Sequence, residues 1–169
     1  MSVCSWDWGA IATVLSPIIV AVYLYRKWHD QKQKEFVADE AKEILRIIDS
    51  LKLSYYSVTY QYRSYNNKKL FDEEYCKNIF NNHSVLVEDF NNRICFLLNL
   101  IYDCSIYEKY EYYETYKTMF EVHHIFNDGT KELENLEKCS NEIEKILEKI
   151  KFDLVRYAMY KNKIKYKSA

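Results

Sequence analysis

Glycine and proline are almost absent from this chain of 169 residues, which holds 2 Gly and 1 Pro. Tight β-hairpins place glycine or Asn-Gly at their turns, and phosphate-binding loops need several glycines close together. The two glycines, Gly9 and Gly129, lie 120 positions apart. The sequence therefore argues against Rossmann, P-loop and β-sandwich folds and favours long helices.

An excess of charge of either sign is also lacking. The chain has 24 Lys and Arg against 25 Asp and Glu, a net charge of -1, so nucleic acid is not a predicted partner. The cysteines are odd in number and form no C-x-x-C pair: Cys4, Cys76, Cys95, Cys104 and Cys139. Neither a disulfide framework nor a zinc site is predicted, and we expect reduced thiols.

What the chain does have is a long apolar run near its start. From Gly9 to Tyr25 there are 17 residues without a charge. At about 1.5 Å per residue, the stretch from Trp8 to Lys27 covers about 30 Å, the thickness of a hydrocarbon core. This predicts a transmembrane anchor within residues 1–35, marked by Trp8, Pro17, Arg26, Lys27 and Trp28. A buried core helix is the alternative. A cleaved signal peptide is disfavoured because the basic residues follow the run.

The basic residues also predict an orientation. Arg26, Lys27, Lys32 and Lys34 follow the apolar run, whereas no basic residue precedes it. The positive-inside rule then places the N-terminus outside and the rest of the chain in the cytoplasm.

Small or kink-tolerant residues recur at every fourth position of the run: Gly9, Thr13, Pro17 and Ala21. Such a stripe lets helices approach closely in lipid, so it predicts an oligomerisation face and a homo-oligomer. The alternative is that small residues are simply common in transmembrane helices.

After the run, apolar positions alternate in steps of four and three residues, which is the pattern of heptad seams. The first seam is Val37, Ala41, Ile44, Ile48, Leu51, Tyr55, Val58, Tyr62 and Tyr65. The second is Val87, Phe90, Ile94, Leu97, Ile101 and Cys104. The last is Leu133, Leu136, Ser140, Ile143, Leu147, Ile150, Leu154, Tyr157, Lys161 and Ile164.

A further helix is predicted over residues 105–126, with polar turns at 66–71 and 127–130. The fold class is therefore all-α: an N-terminal transmembrane helix that continues into a cytoplasmic antiparallel helical bundle, residues 36–169, with heptad seams. Because heptads do not say whether the partner helix is in the same chain, an intermolecular coiled coil stays open.

Catalytic motifs are few. Glu121 and His124 have the Glu-x-x-His spacing of di-iron bundles, but the second copy that such sites need is missing. No metal, cofactor or catalytic residue is predicted, and the protein is expected not to be an enzyme. One alternative is a hydrolase whose residues converge only in three dimensions, with Glu121, His123 and His124 as candidates.

The C-terminal end is basic and has no acidic residue after Asp153. It is a candidate for anion or nucleotide binding through Arg156, Lys161, Lys163, Lys165 and Lys167. The other interpretation is a solvated helix end, where cations suit the helix dipole.

The stretch from Asp7 to Ala41 contains Asp7-Trp8, Pro17, Trp28, Gln31, Lys34-Glu35, Ala38 and then Glu40-Ala41-Lys42 at its end. With these residues it resembles the start of small single-pass bacterial membrane proteins of uncharacterised function, some of which are encoded in mobile elements and phage-defence loci. The resemblance implies a location in the bacterial inner membrane, and it carries over no functional residue. The predicted function is a non-enzymatic, membrane-anchored helical module that oligomerises and binds a cytoplasmic protein, with a phage-defence effector as one form of it.

Overall fold

The structure is a computed structural model that describes residues 8–66, 73–125 and 130–159, with side chains over 15–64, 74–122 and 133–159. Four helices make up these ranges: α1 (Trp8–Asn66), α2 (Glu73–Leu100), α3 (Cys104–Ile125) and α4 (Thr130–Ala158). The chain divides into two compact units, Met1–Phe36 and Val37–Ala169, and α1 contributes residues to both. The all-α prediction is confirmed.

The second unit is an antiparallel four-helix bundle, as predicted. Asp49 of α1 pairs with Lys151 of α4 at 2.6 Å, and Arg63 pairs with Glu137 at 2.6 Å, so positions rise along one helix while they fall along the other. The other neighbouring helices are antiparallel as well. Contacts between α1 and α2 join Glu40 with Arg93 and Ser54 with His83, and contacts between α2 and α3 join Phe90 with Tyr113 and His83 with Phe120. The start of α3 meets α4 through Asp103 with Tyr157 and Lys109 with Asp153.

The heptad seam of α1 forms the centre of this bundle. Its first seven members are at most 1% exposed: Val37, Ala41, Ile44, Ile48, Leu51, Tyr55 and Val58. Tyr62 is partly buried against the same core, and the side chain of Tyr65 lies outside the described residues. Helices of the same chain bury this seam. Of the two pairings that the sequence left open, an intramolecular bundle and an intermolecular coiled coil, the structure has the intramolecular bundle.

The seam of α4 is buried as well, from Leu136 through Tyr157, with Ser140 half-buried where the pattern is polar. Lys161 and Ile164 lie beyond the described residues. Because a helix repeats every 3.6 residues, steps of three and four keep these side chains on the face that meets the other helices.

The second seam is wrong at its last member, since Cys104 is exposed. The reason is that α2 ends at Leu100 and Cys104 is the first residue of α3, so the heptad phase of α2 does not reach it. Asp103 begins the new helix: its Oδ1 accepts hydrogen bonds from the backbone N–H groups of Ser105 (2.9 Å) and Ile106 (3.2 Å). This is the geometry of an N-cap.

The predicted transmembrane helix is not found: among the described residues, no helix combines the length and apolar character needed to cross a membrane. The described side chains of the apolar run extend only from Leu15 to Tyr25, and Arg26 follows. A crossing takes about 20 residues. The side chains of residues up to Val14 lie outside the described part of the chain.

The buried seam predicts a sharp contrast between two leucines of α1. Leu51 is 0% exposed and Leu53 is 68% exposed, two positions apart on the same helix. Leu51→Ala should lower the free energy of unfolding by about 2–5 kcal/mol, because it leaves a cavity in the core. Leu53→Ala is the matched control and should change it by less than about 0.5 kcal/mol. Urea unfolding followed by circular dichroism measures both. Equal effects would contradict the buried seam.

Candidate functional site

The apolar segment of the first unit, which we define as Leu15–Trp28, is exposed on every side. Its large apolar side chains are about half or more exposed: Leu15, Ile18, Ile19, Val20, Val22, Tyr23, Leu24, Tyr25 and Trp28. Successive residues of a helix are about 100° apart, so the runs 18–20 and 22–25 put apolar side chains around the whole circumference. A helix that is apolar on all faces normally lies in a core or in lipid.

The other predicted anchor residues lie on the same part of α1. Pro17, Arg26 and Lys27 are exposed, and the side chain of Trp8 lies outside the described residues. The ring of Tyr25 stacks on that of His29, with centroids 6.2 Å apart. Aromatic and basic side chains therefore cluster at the C-terminal end of the apolar segment.

Half of the predicted oligomerisation face is described. Pro17 and Ala21 are exposed, four residues apart on one face of α1, whereas the side chains of Gly9 and Thr13 lie outside the description. The structure contains one chain, so self-association stays a prediction.

The candidates for catalysis and anion binding are only partly visible. Glu121 is exposed on α3, and Arg156 is exposed in the last turn of α4. The side chains of His123 and His124 and all of residues 160–169, which include Lys161, Lys163, Lys165 and Lys167, are outside the described parts. Among the described side chains, no three His, Cys, Asp or Glu residues come together as metal ligands.

The structure adds a cavity that the sequence did not predict. It lies between α2 and α3, has a volume of about 510 Å³ and is termed here the α2–α3 groove. Its apolar lining is Phe80, Val87 and Phe120, and its polar lining is His83, Ser84, Glu88, Asn91, Asn92 and Glu121. Glu121 is the one predicted candidate that lines it.

His83 is the most buried polar group of the groove, at 9% exposure. The hydroxyl of Ser54 donates to the carbonyl oxygen of Leu51 at 2.6 Å, and Ser54 Oγ lies 2.9 Å from His83 Nδ1. Because a serine hydroxyl has one proton to donate, Ser54 accepts from His83, whose Nδ1 must carry hydrogen. The imidazole ring also meets Tyr55 edge-on, with centroids 4.5 Å apart.

Buried phenols lie behind this histidine. The hydroxyls of Tyr55 and Tyr113 are 3.2 Å apart in the core. Burial raises the pKa of both phenols well above their ordinary value, and the charge of Glu121 also raises the pKa of Tyr55. Burial raises the pKa of Tyr62 to about 12. The core under the groove therefore keeps its tyrosines protonated.

The charges that line the groove are all acidic. Glu88 and Glu121 are exposed carboxylates, and no Lys or Arg is among the lining residues. Asn91 contributes a buried Oδ1 atom that has no hydrogen-bond partner among the side chains described. The groove thus combines negative charge at its surface with an apolar lining that includes the half-buried Phe80 and the fully buried Phe120.

No protein-family model, curated protein or solved structure matches this chain. The resemblance of the stretch from Asp7 to Ala41 to small single-pass bacterial membrane proteins therefore stays a prediction. What can be inferred about function rests on the apolar segment and on the groove.

The raised tyrosine pKa values predict loss of stability in alkali. The phenols of Tyr55, Tyr62 and Tyr113 hold their protons more tightly in the folded state than in the unfolded chain, where the pKa is about 10. Their contribution to stability is complete below about pH 10 and decreases as the pH rises toward the folded pKa. The free energy of unfolding should fall between about pH 10 and about pH 12, and Tyr62→Phe should reduce that fall. Urea unfolding at several pH values measures it, and a flat profile would contradict the burial.

Proposed function

We propose that the protein is a non-enzymatic helical module that associates with a lipid bilayer through Leu15–Trp28 and binds a protein partner through its bundle. We further propose that the bilayer is a bacterial inner membrane with the bundle on its cytoplasmic face. Phage defence, which the resemblance implies for some proteins of this plan, is one setting for such a module.

One observation carries the proposal: a helical segment with apolar side chains exposed around its whole circumference. Water disfavours such a surface at about 25 cal/mol per Å² of apolar area. A lipid phase removes the whole surface from water at once, whereas packing on one neighbour would cover only one face.

Charge and aromatic content at the end of the segment support lipid over another apolar partner. Arg26 and Lys27 lie at its C-terminal end, and Trp28 is about half exposed beside them. Basic residues attract anionic headgroups, and tryptophan favours the interface between headgroups and acyl chains. The order apolar, basic, aromatic therefore matches the depth profile of a membrane surface.

Ion pairs within the bundle occupy charged groups that a catalytic site could otherwise use. Several charged groups of the bundle are held by partners on other helices, as in Lys52 with Glu148 and Lys109 with Asp153. Glu121 has no hydrogen bond to a serine, threonine or cysteine among the residues described, so the hydrolase alternative gains no support.

Association with lipid predicts flotation with vesicles. Val20→Asp combined with Leu24→Asp should prevent flotation, because a charged side chain inside the apolar layer costs about 2.5–3.5 kcal/mol. Leu53→Asp combined with Val85→Asp is the matched control, since both residues are exposed aliphatics of the bundle, and it should float like the unmodified chain. Density-gradient flotation with phosphatidylcholine and phosphatidylglycerol vesicles measures this.

Two results would contradict the lipid proposal: an unmodified chain that stays at the bottom of the gradient, or a doubly charged variant that floats equally well. At about 1 M salt the Debye length is about 3 Å, so attraction between exposed charges is largely screened. Attachment through apolar side chains should therefore survive a wash at this salt concentration.

We also propose that the chain self-associates through Gly9, Thr13, Pro17 and Ala21. Gly9→Leu with Thr13→Leu should lower the signal of cross-linked oligomers formed by the vesicle-bound chain, because bulky side chains keep the helices apart. Ala10→Leu with Val14→Leu has the same spacing one position further round the helix and should leave the signal unchanged. An equal signal in all three chains would rule out this face.

A further inference from the structure

We propose that the α2–α3 groove binds a small organic cation, an ammonium or guanidinium group carried on an apolar body. This inference goes beyond the proposed function and does not depend on attachment to a membrane.

The size and walls of the groove suit such a ligand. Its volume of about 510 Å³ lies within the range of about 300–1,000 Å³ of small-molecule sites. Phe120 is held in place by an edge-to-face contact with Tyr55, with centroids 5.0 Å apart, and Phe80 by a similar contact with Tyr62 at 6.0 Å. The half-buried Phe80 offers ring surface to the body of a ligand, whereas Phe120 is 1% exposed and closes the floor of the groove.

The charge of the lining selects the sign of the ligand. Glu88 and Glu121 are the charged residues of the groove, and neither has an ion pair among the residues described. Their combined field attracts a cation and repels a phosphate or a carboxylate. A ligand that neutralises both carboxylates is therefore favoured.

Hydrogen bonding favours a cation that carries N–H groups, because the exposed carboxylates of Glu88 and Glu121 can accept from an ammonium or guanidinium. A bare metal ion is disfavoured, because no group of three ligand side chains forms in the part of the chain that the structure describes.

The ligand could be a free molecule or the side chain of a lysine or arginine on a partner protein, since the recognising chemistry is the same. In the second case the groove would be part of the partner-binding surface proposed above.

The test uses the purified full chain, in phosphatidylcholine nanodiscs if it floats with vesicles and in buffer if it does not. Binding of 2-phenylethylammonium is followed through the ring protons of His83 by NMR, beside the neutral analogue 2-phenylethanol. The ammonium should bind at least about tenfold more tightly, since a charged hydrogen bond contributes about 1.5–3 kcal/mol and 1.4 kcal/mol is tenfold.

Variants connect the effect to the groove. Glu88→Gln with Glu121→Gln keeps the shape of both side chains and should remove the preference for the ammonium, which is a loss of about tenfold in affinity. Glu134→Gln is the matched control: this exposed residue of α4 does not line the groove and its replacement should leave binding unchanged. Circular dichroism verifies that each variant is folded.

A short peptide with a central arginine separates the two sources of the cation. Tighter binding of the peptide than of free arginine supports a partner side chain, and the reverse supports a free molecule. The proposal is overturned if none of these cations shifts His83, if the neutral analogue binds as tightly, or if the double Gln variant binds the ammonium like the unmodified chain.

Discussion

Burial of the α1 heptad seam is the constraint on which the rest of the structure depends. A continuous stripe from Val37 to Val58 has no contact with water, so three further helices must cover it. That packing fixes where Ser54 and Tyr55 stand, and these two residues hold the imidazole of His83 by a hydrogen bond and a ring contact. The α2–α3 groove is formed around that histidine. The candidate site therefore follows from the core.

Much of the fold could be predicted from the sequence, because apolar residues spaced three and four positions apart lie on one face of a helix. This spacing is visible in the local sequence. The buried members of α1 and α4 appear in the pattern itself. The pattern failed at Cys104, where α2 had already ended and Asp103 had capped a new helix. The groove could not be predicted at all. His83 and Glu121 lie 38 positions apart, and only the packing of α2 on α3 brings them to one cavity.

Two surfaces of contrasting chemistry support the functional proposals. The segment Leu15–Trp28 is apolar around its circumference and ends in basic residues, which suits lipid. The α2–α3 groove is aromatic and acidic, which suits an organic cation. Nothing in one surface requires the other, so each proposal can fail alone. Together they describe a module that is attached at one segment and recognises a ligand at another.

The central claim, that the seams pair within one chain, can be tested by carbodiimide cross-linking of a mixture of ¹⁴N- and ¹⁵N-labelled chains. This reagent joins a lysine to a carboxylate in direct contact, as in Lys151 with Asp49 at 2.6 Å and Lys52 with Glu148 at 2.5 Å. The account predicts that mass spectrometry finds each cross-linked peptide pair with a single isotope in both halves. Pairs with one ¹⁴N and one ¹⁵N half in statistical proportion would show an intermolecular coiled coil and contradict it.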